Sequence, residues 1–489
     1  MHLDLFLLLS VVLPLSAYLV LKYLNKINFW RRQNVQTASV FGLLKRTWES
    51  HLHVAIHELY MQMCDQAQPC QAIETLATTA LVVQDQNAIQ DILVTQFDNF
   101  NERGFYVNRK DPLVSNLGRV EYDLWKPMRR TYASSLTAAK TKEYFVLFQK
   151  LGDQMLHVFN NAMSSNQGVL DAYDVCQRYA IDLIANVGFG LQLNCLANPK
   201  SQARQYTIKA VRESIRPFFD QFKKTFSKLL QLLDIKYHSQ TTIDFFSNIM
   251  NESLKARRSD FIKNLLEASD DPDLKLSREL MLDQVFGFFT AGFDNTSTAM
   301  TYALYELAKD PEIQEKARKE VTAVIGRYAN EITYESLKEM TYVYQVIQET
   351  LRKYPVGHML PRTCLRPSTI RTATTSIEIP AHTTIIIPTY GIHHNPRFYP
   401  EPDKFRPERF EEEEIAKRPA CSFLSFGDGP KICVALQFTR ANMVYQLALI
   451  LSHYRLYLTK GTPDILKFDR TRMFTLSPLG DIFLKVENI

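Results

Sequence analysis

The segment FLSFGDGPKICVALQF, Phe423 to Phe438, curls two glycines and a proline in front of a lone cysteine and continues into a helical pattern without acidic residues. Such a loop suits three chemistries: cradling a phosphate, binding a metal through several ligands, or presenting one thiolate. The phosphate reading fails on spacing. A dinucleotide-binding turn needs a third glycine where Ile432 stands and an acidic residue about 20 positions on. No Asp or Glu lies between Pro430 and Thr462, and the Walker spacing is absent. Zinc lacks its ligands, because Cys421 and Cys433 are too far apart for a paired motif and no histidine follows before His453. The C-x-x-C-H of covalent haem attachment is missing as well.

A single thiolate survives. A cysteine at the start of a helix gains from unsatisfied backbone N–H groups and the positive end of the macrodipole, both of which favour the anion. Lys431 adds a cation two residues away, and Gly427 and Gly429 allow left-handed backbone and close approach to a flat ligand. Taken alone, the loop fits an inert cysteine buried after a turn better. The decision rests on the remaining chain.

The chain has 489 residues, 46% of them hydrophobic and 22% charged, which is ordinary globular composition. Its net charge of +5 suits a membrane surface or an acidic partner and falls short of a nucleic-acid binder. Seven cysteines, Cys64, Cys70, Cys176, Cys195, Cys364, Cys421 and Cys433, are scattered and odd in number, which argues for reduced thiols in a cytosolic environment. The run LDLFLLLSVVLPLSAYLVL, Leu3 to Leu21, is about 20 residues long, enough to span a bilayer as a helix. No Lys or Arg precedes it, whereas Lys22, Lys26, Arg31 and Arg32 follow, so the positive-inside rule places the body in the cytosol. A cleaved signal peptide would need a basic leading region and a small-residue cleavage site, and neither is evident. Residues 1–25 are therefore expected to be an uncleaved transmembrane signal-anchor.

Residues 26–489 show no repeat, linker or composition shift, and helical patterns dominate. Phe148, Leu151, Met155 and Phe159 recur at helical spacing between Tyr144 and Phe159. Residues 279–308 predict one buried helix that passes into an exposed one at Asp310-Pro311. A third helix is expected from Tyr342 to about Lys353, stopped by Pro355. Strand signals are confined to the last third, where Ser376–Pro388 and Phe474–Val486 each read as a hairpin, the second turning at Pro478-Leu479-Gly480. The expected fold is mainly α, one large helical domain with a minor β component.

Phe426, Gly429, Lys431, Cys433 and Ala435 stand at F-x-x-G-x-[R/K]-x-C-x-[G/A], a spacing that resembles the haem-binding loop of the cytochrome P-450 family. Three further motifs follow the resemblance in order along the chain. Glu349 and Arg352 in QETLRKYP form E-x-x-R on one helix face, by themselves only a surface pair worth a few tenths of a kcal/mol. The resemblance joins them to Arg409 of FRPERF as a buried network supporting the loop. Trp125 and Arg129 in WKPMRR lie at i, i+4 and face the same way; a core tryptophan beside a solvated arginine is the plain alternative. The resemblance makes both haem-propionate ligands, with Arg362 in MLPRTCLRP and Lys431, which replaces the usual arginine. Pro127 between them is best tolerated in a first turn, so that helix is expected to begin near Leu124.

FFTAGFDNTSTAM, Phe288 to Met300, matches [A/G]-G-x-[D/E]-T with one departure. Ala291 and Gly292 remove bulk from a helix at a cost of about 1 kcal/mol for the glycine, which either a flat cofactor or close helix packing would justify. Asp294 keeps the acid. Asn295 stands where the family has a proton-delivering threonine, and Thr296 follows about 100° round the helix. Asp294, Asn295 and Thr296 are the expected catalytic set, with Thr296 able to serve only if a local bulge swings it inward. Ala435 and Gln437 replace a commoner glycine and arginine, and NVQTASVFGLL after the anchor lacks the family's proline-rich hinge. FDNFNERG, Phe97 to Gly104, and the stretch from Ala291 to Lys316 look most like insect microsomal members.

The resemblance implies the cytochrome P-450-like fold for residues 26–489, with haem b held by Cys433 as metal ligand. The implied activity is that of a haem-thiolate monooxygenase that takes O₂ and inserts one oxygen atom into a small apolar substrate (a xenobiotic, steroid or fatty-acid-like molecule). No flavin or nicotinamide motif occurs, so electrons are expected from an NADPH-dependent cytochrome reductase in the endoplasmic-reticulum membrane, with cytochrome b5 as a second donor. Lys404, Arg406, Lys417, Arg418 and Arg440 would form its basic docking face, although the adjacent run Glu411–Glu414 fits a plain solvated surface equally. Phe105, Tyr106, Val107, Phe286, Phe289, Phe293 and Met359 are candidates for an apolar pocket, with core packing the alternative for each. Because of Asn295, two other readings stay open: a haem-thiolate isomerase or dehydratase acting on peroxides, and a catalytically silent haem-binding member.

Overall fold

The structure, a computed structural model, describes residues 2–38, 68–74, 79–105, 112–213, 238–271, 274, 276–470, 472 and 475–489, with side chains from residue 14 onward except that of 213. Contacts divide the chain into two compact units: Met1–Gly104, Met359–Phe398 and Pro419–Lys431 make the first, and Phe105–His358, Tyr399–Arg418 and Ile432–Ile489 the second. No compositional seam marks them, because each is assembled from stretches far apart in sequence.

The first unit opens with helix α1, His2–Arg32, which carries Pro14 inside it and Arg31 and Arg32 in its last turn. Leu15, Tyr18, Val20, Leu21 and Leu24 stay 46 to 60% exposed along it. Its far end is docked: Trp30 is buried, and its indole N–H donates to Glu74 at 2.6 Å, with Lys26 3.5 Å from the same carboxylate. Among the described residues no helix is long and apolar enough to cross a membrane. The anchor expected over residues 1–25 is therefore not confirmed, and the side chains of its first half lie outside the described residues.

A five-stranded sheet follows in the spatial order Gln36–Ala38, Cys70–Glu74, Thr79–Val83, Thr384–Ile387, Leu360–Thr363, and Ser368–Arg371 pairs with Ser376–Ile379 in a separate ribbon. This corrects the first expected hairpin. Both of its strands exist, but neither pairs with the other. Ser376–Ile379 alternates exposed and buried as an edge ribbon does. Thr384–Ile387 lies parallel to Thr79–Val83 and antiparallel to Leu360–Thr363. Ile385, Ile386 and Ile387 are all buried, and a strand covered on both faces reads as an unbroken apolar run rather than an alternating one.

The second unit is helical. Its main helices are α2 (Tyr122–Ser135), α3 (Ala138–Ser165), α4 (Ala172–Phe189), α5 (Arg278–Lys309), α6 (Pro311–Gly326), α7 (Thr341–Lys353) and α8 (Leu436–His453). The apolar stripe expected on α3 is buried at Phe148, Leu151, Met155 and Phe159. The α5–α6 boundary falls where it was expected. The Asp310 side chain accepts from the N–H groups of Glu312 and Ile313 at 3.1 Å, and Pro311 occupies the first helical position, where its missing N–H costs nothing. Helix α2 starts at Tyr122, two residues before the expected Leu124, so Pro127 lies in its second turn.

The C-terminal hairpin is also corrected. Phe483–Asn488 pairs with Val169–Asp171 on one side and Tyr454–Leu458 on the other. Thr475 and Pro478 bridge instead to Gly357 and Phe468, so the turn near Gly480 does not close a ribbon on itself. Phe474 lies outside the described residues.

Candidate functional site

In the first unit, the cysteine loop has the backbone its glycines predict. Gly427 and Gly429 sit at φ +74° and +67°, a region that side chains disfavour. A Cβ on Gly429 would lie 2.0 Å from the Leu93 carbonyl oxygen. Leu93 belongs to the π-helical turn Asp91–Thr95, so Gly429 is required both by conformation and by backbone contact.

The same unit concentrates cations where water is scarce. Lys431 is 5% exposed and Arg362 1%. Burial pushes the Lys431 amine down to about 7, assisted by repulsion from Arg103 and Arg362 and opposed by Glu102. Burial likewise takes Arg362 down to about 9, with Arg103 repelling it further. One Arg362 Nη donates to the Pro361 carbonyl at 2.8 Å, while its Nε is buried without a hydrogen-bond partner. Burying like charges together is costly, so this cluster has the chemistry of a receptor for carboxylates. It fits the propionates of a haem.

In the second unit, Cys433 stands apart from the other described cysteines. Cys70, Cys176, Cys195, Cys364 and Cys421 are buried, and Cys433 is half-buried. Burial pushes the Cys364 thiol up to about 11 and those of Cys176, Cys195 and Cys421 up to about 12, which keeps them inert. Cys433 lies three residues before α8, whose N-cap Ala435 offers no side-chain acceptor to the first-turn N–H groups. Arg129 of α2 feels it: burial lowers the guanidinium's pKa and the charge of Cys433 raises it. Trp125, one turn earlier on the same face, is buried and stacks on Tyr122 at 5.7 Å.

Helix α5 contributes an unusual surface. From residue 280 to residue 308 every side chain is buried or half-buried except Ala291 and Asn295, which stand at i, i+4 on one stripe. The Asn295 amide donates to the Ala291 carbonyl at 2.9 Å. The helix is continuous through this region, so no bulge turns Thr296 onto the stripe. Gly292 is explained differently from Ala291: a Cβ there would meet Ile184 Cδ1 at 2.5 Å, and the missing side chain admits α4. Asp294 is buried and ion-paired with Arg472, whose Nη lies 2.5 Å from both carboxylate oxygens. The acid thus faces the C-terminal segment rather than the stripe.

Glu349, Arg352 and Arg409 come together with almost no exposure. The Arg352 Nε and Nη donate to Glu349 at 2.8 and 2.9 Å, the Arg409 Nε at 3.3 Å, and the Arg406 backbone N–H at 2.9 Å. Arg409 also donates to the Glu401 carbonyl at 2.8 Å.

Other expected contributors are placed elsewhere. Phe286 and Phe289 pack on Phe246 at 4.9 and 5.5 Å, and Phe293 packs on Phe289, all three buried in the core. Phe105 lies under the Arg119 guanidinium, and Met359 packs beside Val82 and Ile386. Tyr106 and Val107 lie outside the described residues. In the expected basic face, Lys404 pairs with Glu401 and Lys417 with Glu414, each at 2.5 Å, while Arg418 and Arg440 lie over Tyr399 and Tyr344. Arg103 and Arg472 were not foreseen, since neither has a fixed spacing to any motif.

A half-buried thiol, a glycine turn packed against the Leu93 carbonyl and a cluster of buried cations have the chemistry that a haem-thiolate protein needs. The cytochrome P-450 family model matches residues 36–484. The probable cytochrome P-450 6a23 of Drosophila melanogaster is 33% identical over 99% of both chains. Two others from the same organism are the probable cytochrome P-450 6a20, 35% identical over 84% of both chains, and cytochrome P-450 6a9, 30% identical over 99% of both. The chain belongs to the cytochrome P-450 family and is of insect type. It is a haem-thiolate monooxygenase, an oxidoreductase that uses haem and O₂.

Proposed function

We propose that this monooxygenase inserts one oxygen atom into a small apolar molecule, with electrons from a separate NADPH-dependent flavoprotein reductase, while α1 holds it to the endoplasmic-reticulum membrane with its body in the cytosol. The observation that carries the reading is the stripe of Ala291 and Asn295 on a helix otherwise buried or half-buried from residue 280 to residue 308. A small apolar side chain and an amide there leave room for an apolar molecule and a water beside a flat cofactor.

In this reading Cys433 is the metal ligand. Arg362, Lys431 and Arg103 would hold a carboxylate of the haem, a role that the resemblance also gives Trp125 and Arg129. When bound, the haem supplies cleavage of the O–O bond, favoured by electron donation from the thiolate, for which this family is the standing example. Phe426 and Gly429 shape the loop, while Glu349, Arg352 and Arg409 brace the backbone of Glu401 and Arg406. Asn295 commits one amide N–H to the Ala291 carbonyl and keeps its amide oxygen as acceptor. It therefore orients a water and does not itself pass a proton. Asp294 stays with Arg472, and Thr296 lies off the stripe. The anchor is supported by the apolar run of residues 3–21, the exposed apolar side chains of α1, and the basic residues that follow.

The full-length chain in detergent, reduced with dithionite and exposed to carbon monoxide, should give a strongly red-shifted Soret band that Cys433→Ser abolishes. In vesicles with a reductase, NADPH consumption should then require an apolar substrate. Turnover of an added hydroperoxide without NADPH or reductase, and no substrate-dependent NADPH use, would sink the proposal.

A further inference from the structure

The root of the cysteine loop is held by a histidine that no motif includes. His393 ends the short helix Thr389–His393, which follows the buried strand Thr384–Ile387. Its side chain is fully buried. The Leu424 backbone N–H donates to its Nε2 at 2.8 Å, and its ring lies parallel to Phe423 at 5.3 Å, 9° between planes. Leu424 is the hinge of the turn: its carbonyl accepts from the Gly427 N–H at 2.9 Å, and its side chain sits in the apolar core. Both backbone polar groups of Leu424 are therefore committed, one to the turn and one to His393. Beyond it the chain has little freedom, since Gly427 and Gly429 are fixed in left-handed backbone and Gly429 abuts Leu93.

We infer that His393 is a positioning residue for the thiolate loop: it accepts the Leu424 N–H and so sets where the Gly427–Lys431 turn begins, a turn that ends two residues short of Cys433. An acceptor is required because a buried N–H without one forfeits its desolvation energy, and local opening is the least costly escape. The imidazole must present an Nε2 lone pair, so the proton of the neutral ring is on Nδ1. The ring's stacking on Phe423 and the hydrogen bond to Leu424 fix two successive residues and leave the turn one starting direction. The inference rests on the Cys433 reading only where it predicts a spectrum. The loop geometry stands without it.

Two variants separate the acceptor from the ring. His393→Phe keeps a ring to lie on Phe423 but removes the acceptor, whereas His393→Gln keeps an acceptor without the ring. In hydrogen exchange on the full-length chain, the segment Cys421–Lys431 of His393→Phe should exchange about tenfold faster, with exchange in α8 unchanged. Its reduced carbon monoxide complex should lose part of the red-shifted thiolate band to the unshifted form, and His393→Gln should restore both readouts toward wild type. Wild-type exchange in the Phe variant, or a Gln variant no better than the Phe variant, overturns the role. Should His393→Phe not fold, His393→Gln decides: near-wild-type exchange supports the role and accelerated exchange overturns it. If the wild type shows no thiolate band but the exchange pattern holds, the haem-ligand reading fails and the positioning role survives.

Discussion

Two buried charge clusters are built on opposite principles. In the second unit Glu349 accepts from Arg352, Arg409 and a backbone N–H, so the two guanidiniums share a built-in carboxylate. In the first, Lys431, Arg362 and Arg103 crowd together with Glu102 as the opposing charge, and repulsion adds to burial in lowering the Lys431 and Arg362 pKa values. A buried ion with its partner inside the fold is a brace. Buried cations that repel one another are held by the folded chain at a cost that a bound anion would relieve, which suits a receptor. The contrast separates scaffold from site without reference to any motif.

The largest expected effect comes from the brace. Glu349→Gln leaves Arg352 and Arg409 buried without a carboxylate and should destabilise the protein by about 3–5 kcal/mol, read as a lowered denaturation midpoint. A loss under ~1 kcal/mol would mean that the network is not structural.

Asp283 offers an intermediate case, a carboxyl buried in α5 whose pKa burial pushes up to about 7, with the Leu113 backbone N–H as the leading opposing influence. A raised carboxyl pKa means that the folded state keeps a proton the unfolded state releases. Its stabilisation is full below about pH 4 and is lost as pH rises through about 7, on the order of a few kcal/mol. Asp283→Asn should flatten stability over that window, and an unchanged slope would show that other groups set it.

For the receptor the sign should reverse between states. Arg362→Ala removes a repelled cation, so the apoprotein should be at least as stable as wild type, while haem should be lost to a scavenging apoprotein about tenfold faster. Equal destabilisation of the apoprotein would erase the distinction between the clusters. The smallest effect belongs to the exposed Lys417–Glu414 pair. Lys417→Ala should shift stability by less than ~0.5 kcal/mol, and reductase-supported turnover should stay near wild type if that pairing occupies the lysine.

Much of this was legible in the chain because its causes are local. The two glycines before Cys433 announce left-handed turns, Asp310-Pro311 announces a cap, and Pro355 stops α7, each through conformational limits that act over a few residues. The stripe of α3 is legible for the same reason, since helical periodicity follows from backbone geometry. Strand partners were not legible. TIII and SIEI look like neighbours in sequence, but each pairs with a strand whose register depends on which faces the rest of the fold covers.

Residue by residue, the sequence determined that one thiol follows a glycine turn, that no phosphate or zinc spacing competes with it, and that Glu349 and Arg352 share a helix face. Only the tertiary structure decided that Gly292 serves Ile184, that Asp294 belongs to Arg472, that Phe286, Phe289 and Phe293 are core, and that His393 holds Leu424. The reason is physical: conformational preference is written in neighbouring residues, whereas desolvation and hydrogen-bond partnership depend on groups that meet only when distant segments pack.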